Sequence, residues 1–269
     1  MGRVIVMTLA FNLPSEVEAR TRELYERNKG FRFEHYIVDL GFPLEYGSDI
    51  PENIEQAKAF NSILLKDTCN RHGSAYLKFP NVGVSQNYTQ FIKAVELQDD
   101  DVLICCDPDE VVHTDNWVRA LCSAISATSD RAVSIGGKIT PIAWCGLMME
   151  EQRAIVEKSE KEPFGVRHGN ISFSGYIIKG ITSCAQWVFS GKFLNEIGGM
   201  PVPDGAPVYG WIESALYEKL GDKWNWAILP EYIVEHTECS TLYREWKTDI
   251  TSNVKDGQPS FEDWLKTKT

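Results

Sequence analysis

The chain has 269 residues, of which 43% are hydrophobic, with eight Trp and twelve Phe. This is enough to bury a sizeable core in one large α/β domain or two small ones, and it excludes a disordered chain. A formal net charge of -11 argues against general binding to nucleic acid or to an anionic membrane surface, and no lysine/arginine run advertises a local basic groove.

Val4 to Leu9 reads as a buried strand, too short and too soon interrupted to be a signal peptide. Pro14 and Ser15 follow, and Ser15 with Glu18 forms a capping-box pattern. It predicts a helix to about Asn28, with Val17, Leu24 and Tyr25 on one face. His35 to Leu40 is a second strand. A Gly- and Pro-rich loop leads to a helix near Ile54 to Cys69, and Tyr76 to Phe79 reads as a short third strand. Tyr88, Phe91, Ile92 and Val95 fall at i, i+3, i+4 and i+7, the spacing of an amphipathic helix. The apolar run Val102 to Cys106 is a buried strand. After it come a helix carrying Trp117, Val118, Leu121, Cys122 and Ile125, and a strand from Ala132 to Ile135. Alternating strands and helices imply an α/β fold with a mostly parallel central sheet and helices on both faces.

Beyond residue 137 the pattern loosens. Glu150 to Glu162 reads as a solvated helix or loop, Gly191 to Gly198 and Trp211 to Leu220 as helices, and Trp224 to Leu229 as a strand. A polar tail after Thr241 includes a helix near Phe261 to Leu265. No linker separates autonomous domains. Seven cysteines, an odd number with no C-x-x-C spacing, look like reduced thiols of a cytoplasmic protein rather than a disulfide framework or a zinc site. No apolar run approaches membrane-spanning length.

The chemistry concentrates where the fourth strand stops, at Asp107-Pro108-Asp109-Glu110. With a period of two along an extended strand, Asp107 and Asp109 point the same way. Two converging carboxylates are a hard oxygen site suited to Mg²⁺ or Mn²⁺, and such an ion commonly carries a phosphate. The other reading of Asp-Pro-Asp is a turn whose acids face water. Strand carboxyl ends are where open α/β sheets bind ligands, which favours the site.

Four further features fall in order around this motif: Asn81-Val82-Gly83-Val84-Ser85-Gln86-Asn87, Ile197-Gly198-Gly199-Met200, Tyr209-Gly210-Trp211-Ile212-Glu213, and His236. From about residue 3 to residue 236 the chain resembles the GT-A fold glycosyltransferases of the large family 2 type. That group shows an N-x-G-x-S…N segment, a hydrophobic strand ending in D-x-D-E, a Gly-Gly turn and an aromatic-Gly-Trp-Glu-Asp helix start. The resemblance implies a single GT-A domain over residues 1–240, with a nucleotide-sugar half to residue 110 and an acceptor half to 240.

Carried over residue by residue, it places Asp39 against the nucleotide base and Asn81 in the donor site. Asp107 and Asp109 fall on the ribose, sugar or metal, His236 is a further metal ligand, and Glu213 is the general base of an inverting displacement. The family's acidic pair is reduced here to the single Glu213, and Gln86 stands where an arginine commonly precedes the second Asn.

Trp211 is the aromatic residue assigned to the acceptor, and Asp204 is either an acceptor contact or a turn residue. Trp144, Trp187 and Tyr209 belong more naturally to a core. The resemblance implies Mn²⁺ or Mg²⁺ as cofactor and a nucleotide-sugar donor, UDP by family habit. The acceptor stays open among a glycan, a small glycoside, a protein and a hydroxylated DNA base. Two alternatives accompany it. One is a GT-A binding module weakened in catalysis. The other is a phosphatase of the haloacid dehalogenase type, which also ends a strand in D-x-D.

Overall fold

The computed structural model describes residues 2–11, 13–42, 53–80, 82–127, 133–140, 158–168, 171–179, 186–201 and 225–236. In chain order the elements are β1 (Val4–Ala10), α1 (Pro14–Arg27), β2 (Glu34–Asp39), α2 (Ile54–His72), β3 (Ala75–Lys78), α3 (Val84–Ala94), β4 (Val102–Cys106) and β5 (Glu110–Val112). Then follow α4 (Trp117–Ala127), β6 (Val133–Thr140), β7 (Glu162–His168), β8 (Ile171–Lys179), β9 (Gln186–Ser190), α5 (Gly191–Ile197) and β10 (Asn225–His236).

The strands join one sheet in the order β3-β2-β1-β4-β9-β6-β10-β8-β7, with β5 paired to β10 off that path. The strands β3, β2, β1 and β4 are mutually parallel, as the alternation of strands and helices dictates. The second half is mixed. β9 runs antiparallel to β4 and to β6, β10 runs parallel to β6, and β7 and β8 form an antiparallel pair.

Every residue of β1 is buried, and its two faces feed two cores. Ile5, Met7 and Leu9 pack with Leu103, Cys105, Phe91, Trp187 and Phe189 under α3 and α5. Val4 and Val6 pack with Ile104, Val118, Leu121, Tyr232 and Val234 under α4. The helical spacings read from sequence bury the expected faces: Tyr88, Phe91, Ile92 and Val95 on α3, and Trp117, Val118, Leu121, Cys122 and Ile125 on α4.

Some local expectations are corrected. The capping box at Ser15 does not form. Pro14 opens α1 at a position where its missing N–H costs nothing, so Ser15 already lies in the first turn and donates to Glu16. Glu18 instead meets Arg71 on α2. Of the stretch expected to be a solvated helix or loop, residues 150–157 lie outside the described residues, the β7–β8 hairpin starts at Glu162, and β6 and β10 run longer than the apolar runs suggested. The predicted helices at 211–220 and 261–265, and the tail after Thr241, lie outside the described residues, as do Cys145, Cys184 and Cys239. Cys69, Cys105, Cys106 and Cys122 are free thiols. No helix among the described residues is long and apolar enough to cross a membrane.

A buried histidine sets an acid limit on this fold. His35 lies between Thr8 Oγ1 at 3.1 Å from Nε2 and Ser74 Oγ at 2.8 Å from Nδ1. Burial, reinforced by the nearby His72, pushes its pKa from 6.5 down to about 3. The unfolded chain therefore binds a proton across that window and the folded chain does not. Stability is full above pH 6.5 and falls as pH drops toward 3, by about 1.4 kcal/mol per unit from this group. Urea titrations at pH 7, 5.5 and 4.5 check this, and His35→Asn should flatten the slope relative to wild type. An unchanged slope in the variant refutes the assignment.

Candidate functional site

The carboxyl ends of β1, β2, β3 and β4 lie along one edge of the parallel sheet, so the segments leaving them share that edge. Asn61 on α2 braces two of these segments. Its Nδ2 donates to the carbonyl of Phe11 at 2.7 Å and to that of Phe42 at 3.0 Å, and the rings of Phe11 and Phe42 meet edge-on at 5.2 Å. At the end of β2, Asp39 is fully buried. Its Oδ1 accepts the Gly41 N–H at 2.7 Å. Its Oδ2 accepts the hydroxyls of Ser62 at 2.5 Å and Tyr76 at 2.6 Å, and Lys78 stands 3.7 Å away. Burial, then the bond to Asp39, pushes the Tyr76 phenol up, so it remains a donor. With no accessible surface, Asp39 in this arrangement braces the β2 loop against α2.

The acid motif follows β4. The strand does not continue through it as an extended segment. Instead the Glu110 N–H returns to the Asp107 carbonyl at 3.3 Å, which closes a turn with Pro108 and Asp109 at its centre. Asp at the first position and Pro at the second are what such a turn prefers. The geometry behind the motif is therefore a turn, which corrects the period-two reading. Asp107 is exposed, whereas Asp109 is only 9% exposed and Glu110 6%. The Glu110 carboxylate reaches back to the Asp107 N–H, 3.4 Å from Oε2.

Directly after the turn, β5 pairs antiparallel with the end of β10 in the register Glu110↔His236, Val111↔Glu235 and Val112↔Val234. The backbone register thus places residue His236 beside the acid turn. Asn81, Asp204, Trp211 and Glu213 lie outside the described residues, as do Trp144 and Tyr209. Trp187 is a core residue, packed on Tyr88 at 5.9 Å and on Phe189 at 6.5 Å between ring centroids.

Behind the turn, a cleft with a cavity of about 30 Å³ is lined by Thr8, Arg20, Cys106, Asp107, Glu110 and Gln186. It has room for about one water molecule. On its wall the Tyr232 hydroxyl donates to Gln186 Oε1, and the Gln186 amide donates to Cys106 Sγ at 3.3 Å. Burial, then the charge of Glu110, pushes the Cys106 thiol well up; burial, then Cys106 and Glu110, does the same to the Tyr232 hydroxyl. The thiols beside the turn are therefore protonated and serve packing rather than nucleophilic attack. Glu110, Gln186 and Tyr232 were not singled out in the sequence as site residues. Glu110 had a signal, since it ends the D-x-D-E string. Gln186 and Tyr232 had none, because pairing between distant strands puts them there.

A divalent cation suits this donor set. Among the described residues no three metal-ligating side chains already form a closed cluster. The turn nevertheless offers an exposed hard-oxygen carboxylate at Asp107, a largely buried one at Asp109, and a histidine position at register distance.

A scan against protein-family models finds no match, and neither does a comparison with curated proteins. Solved structures do match. The mannosyltransferase PcManGT from Pyrobaculum calidifontis, in complex with GDP-Man and Mn²⁺, superposes with a TM-score of 0.58 at 11% identity, covering 99% of this chain and 68% of that one. Glucosyl-3-phosphoglycerate synthase from Mycobacterium tuberculosis, in complex with Mn²⁺, UDP and glucosyl-3-phosphoglycerate, superposes with a TM-score of 0.51 at 10% identity, covering 94% of this chain and 78% of that one. With its parallel β3-β2-β1-β4 half, its mixed second half and its helices on both faces, the chain has the GT-A fold of the nucleotide-diphospho-sugar transferases.

Proposed function

We propose that this chain is a metal-dependent glycosyltransferase that moves a sugar from a nucleoside-diphosphate sugar to an acceptor hydroxyl. The observation that carries the reading is the acid turn Asp107–Glu110 at the carboxyl edge of the parallel strands, with His236 opposite Glu110 in the β5–β10 register. Two solved structures of the same fold hold Mn²⁺ with a nucleotide or a nucleotide sugar, which supports a donor of that class.

In this reading residues 1–110 receive the nucleotide and residues 111–240 the acceptor. Asp39 and Asn61 hold the segments after β1 and β2 in place, and Asn81 opens the segment leading into α3. Asp107 and Asp109, with His236, hold a divalent ion, Mn²⁺ or Mg²⁺. When bound, the ion neutralises negative charge on the departing diphosphate. Glu213 takes the proton from the acceptor hydroxyl as that oxygen attacks the anomeric carbon, giving inversion. Trp211 and Asp204 contact the acceptor. The GT-A fold removes the haloacid dehalogenase alternative, since the acid strand here is the fourth strand of a different topology.

Thermal unfolding with UDP-, GDP- and dTDP-sugars in the presence of Mn²⁺ tests the donor class. A nucleotide sugar at a hundred times its Kd stabilises by about 2.7 kcal/mol. The matching nucleoside diphosphate is then released slowly in the absence of acceptor. No shift with any of the three, or release of inorganic phosphate from phosphomonoesters instead, refutes the reading.

A further inference from the structure

Helix α2 is apolar on both sides. Its inward face buries Leu65 and Cys69 against Ala10, Val17 and Ile37. On its outward face Phe60 is 45% and Ile63 59% exposed, and Ala59 beside them is exposed as well. A helix on the outside of an α/β fold ordinarily turns polar groups to water, and one that is apolar all round has both faces covered. Phe60 and Ile63 are two of the three large apolar side chains exposed among the described residues, and their spacing makes them neighbours on the helix surface.

The rest of that face indicates what covers it. Exposed residues run along it as Asn53, Gln56, Phe60, Ile63, Asp67 and Asn70, at alternating steps of three and four. This is the seam of a helix that packs lengthwise on another helix. The seam is also a palindrome in chemistry about the point between Phe60 and Ile63. Laid antiparallel on a copy of itself, Phe60 meets Ile63, the Gln56 amide meets the Asp67 carboxylate, and Asn53 meets Asn70. Arg71 engages Asp67 through Oδ2 at 3.1 Å, and Oδ1 is the acceptor for the Gln56 amide. Laid parallel, Asp67 would oppose Asp67. A two-fold interface needs such a self-complementary patch, since each residue and its partner exchange roles across the axis. An unrelated partner requires no palindrome.

We propose that the outer face of α2 is a homodimer interface, in which two copies of this chain pair their α2 helices antiparallel about a two-fold axis between Phe60 and Ile63. The apolar centre is small, so the dimer is weak, with a Kd on the order of micromolar or above. No seam residue belongs to the site proposed above, and the inference does not depend on the transferase reading.

Sedimentation velocity of the full chain, over a series from low micromolar to near-millimolar concentration, is the test. Wild type should move toward twice the monomer mass as concentration rises. Ile63→Glu sets a carboxylate beside the axis on both copies and should weaken association about tenfold or more. Ile63 is exposed in the monomer, so the circular dichroism and Tm of the variant should match wild type. Gln56→Asp opposes carboxylate to carboxylate in both symmetric pairs and should weaken association similarly. Combining it with Asp67→Gln swaps the pair and should restore the dimer.

A wild-type chain that stays monomeric throughout overturns the proposal, as does an Ile63→Glu variant that associates like wild type. A monomeric Ile63→Glu beside a Gln56→Asp variant that dimerises normally overturns the antiparallel pairing. Flotation of wild type, but not of Ile63→Glu, with phosphatidylglycerol–phosphatidylcholine vesicles, without self-association in solution, gives the face to a lipid surface and overturns it too. Thermal stabilisation by the nucleotide sugar should be the same in Ile63→Glu as in wild type, so this inference and the transferase reading fail separately.

Discussion

Asp109→Ala abolishes Mn²⁺-dependent retention of the donor. Isothermal titration of the variant with the nucleotide sugar that stabilises wild type should show a Kd at least a hundredfold weaker in Mn²⁺. In EDTA the two proteins should bind alike. The size follows from what is removed. A nucleoside diphosphate brings its own negative charge to a turn that already carries Asp107, Asp109 and Glu110, and a cation is what reverses the sign of that encounter. Without one ligand carboxylate the ion is held more weakly and the repulsion returns. The variant should fold, because Asp109 sits at the centre of a turn closed by the backbone of Asp107 and Glu110. Asp109→Asn separates charge from shape and should behave like the alanine variant. Equal donor affinity with and without Mn²⁺ in wild type would remove the metal from the mechanism.

Glu213→Gln leaves donor affinity intact and removes transfer. A general base contributes roughly 10²–10⁴-fold, and Gln keeps the size of Glu while losing the basic oxygen. Sugar transfer measured at saturating donor and acceptor should fall within that range, with Kd for the donor unchanged. The split matters because it distinguishes a base from a donor ligand, which would raise Kd. Full transfer by the Gln variant moves the base elsewhere. Since Glu213 is flanked by Ile212 and Ser214, no adjacent carboxylate in the motif is placed to take over the proton.

The first half of the fold was legible because its signals are local. Each strand from β1 to β4 contains a short apolar run, α3 and α4 repeat their apolar residues at 3.6 spacing, and βαβ units admit one handedness of crossover. The second half was not, because its strands are defined by distant partners. β7 contains Pro163, Gly165 and charged ends, and it reads as a strand only beside β8. β5 has three residues, too few for any pattern, and exists because β10 supplies its partner.

The site shows the same division. The acid turn was visible as a string, and the order of motifs placed His236 late in the chain. The pairing that brings His236 to Glu110 is a fact of register, which no window of sequence contains. The partners of Asp39 were hidden for a different reason. A carboxylate ending a strand looks alike whether it faces a ligand or is surrounded by Ser62, Tyr76 and Gly41.

The strand β10 touches β6, β8 and β5, with a register break between Ile228 and Ile233 that lets one segment serve different neighbours along its length. All three meet it only after the intervening chain has been made. On the ribosome, the parallel strands β1–β4 and their β9 neighbour emerge while β5 still lacks an edge to lie against. The antiparallel edge at Glu110–Val112 thus closes last, when residues 225–236 dock. A nascent chain halted before that point would carry Glu110–Val112 without the strand that pairs it.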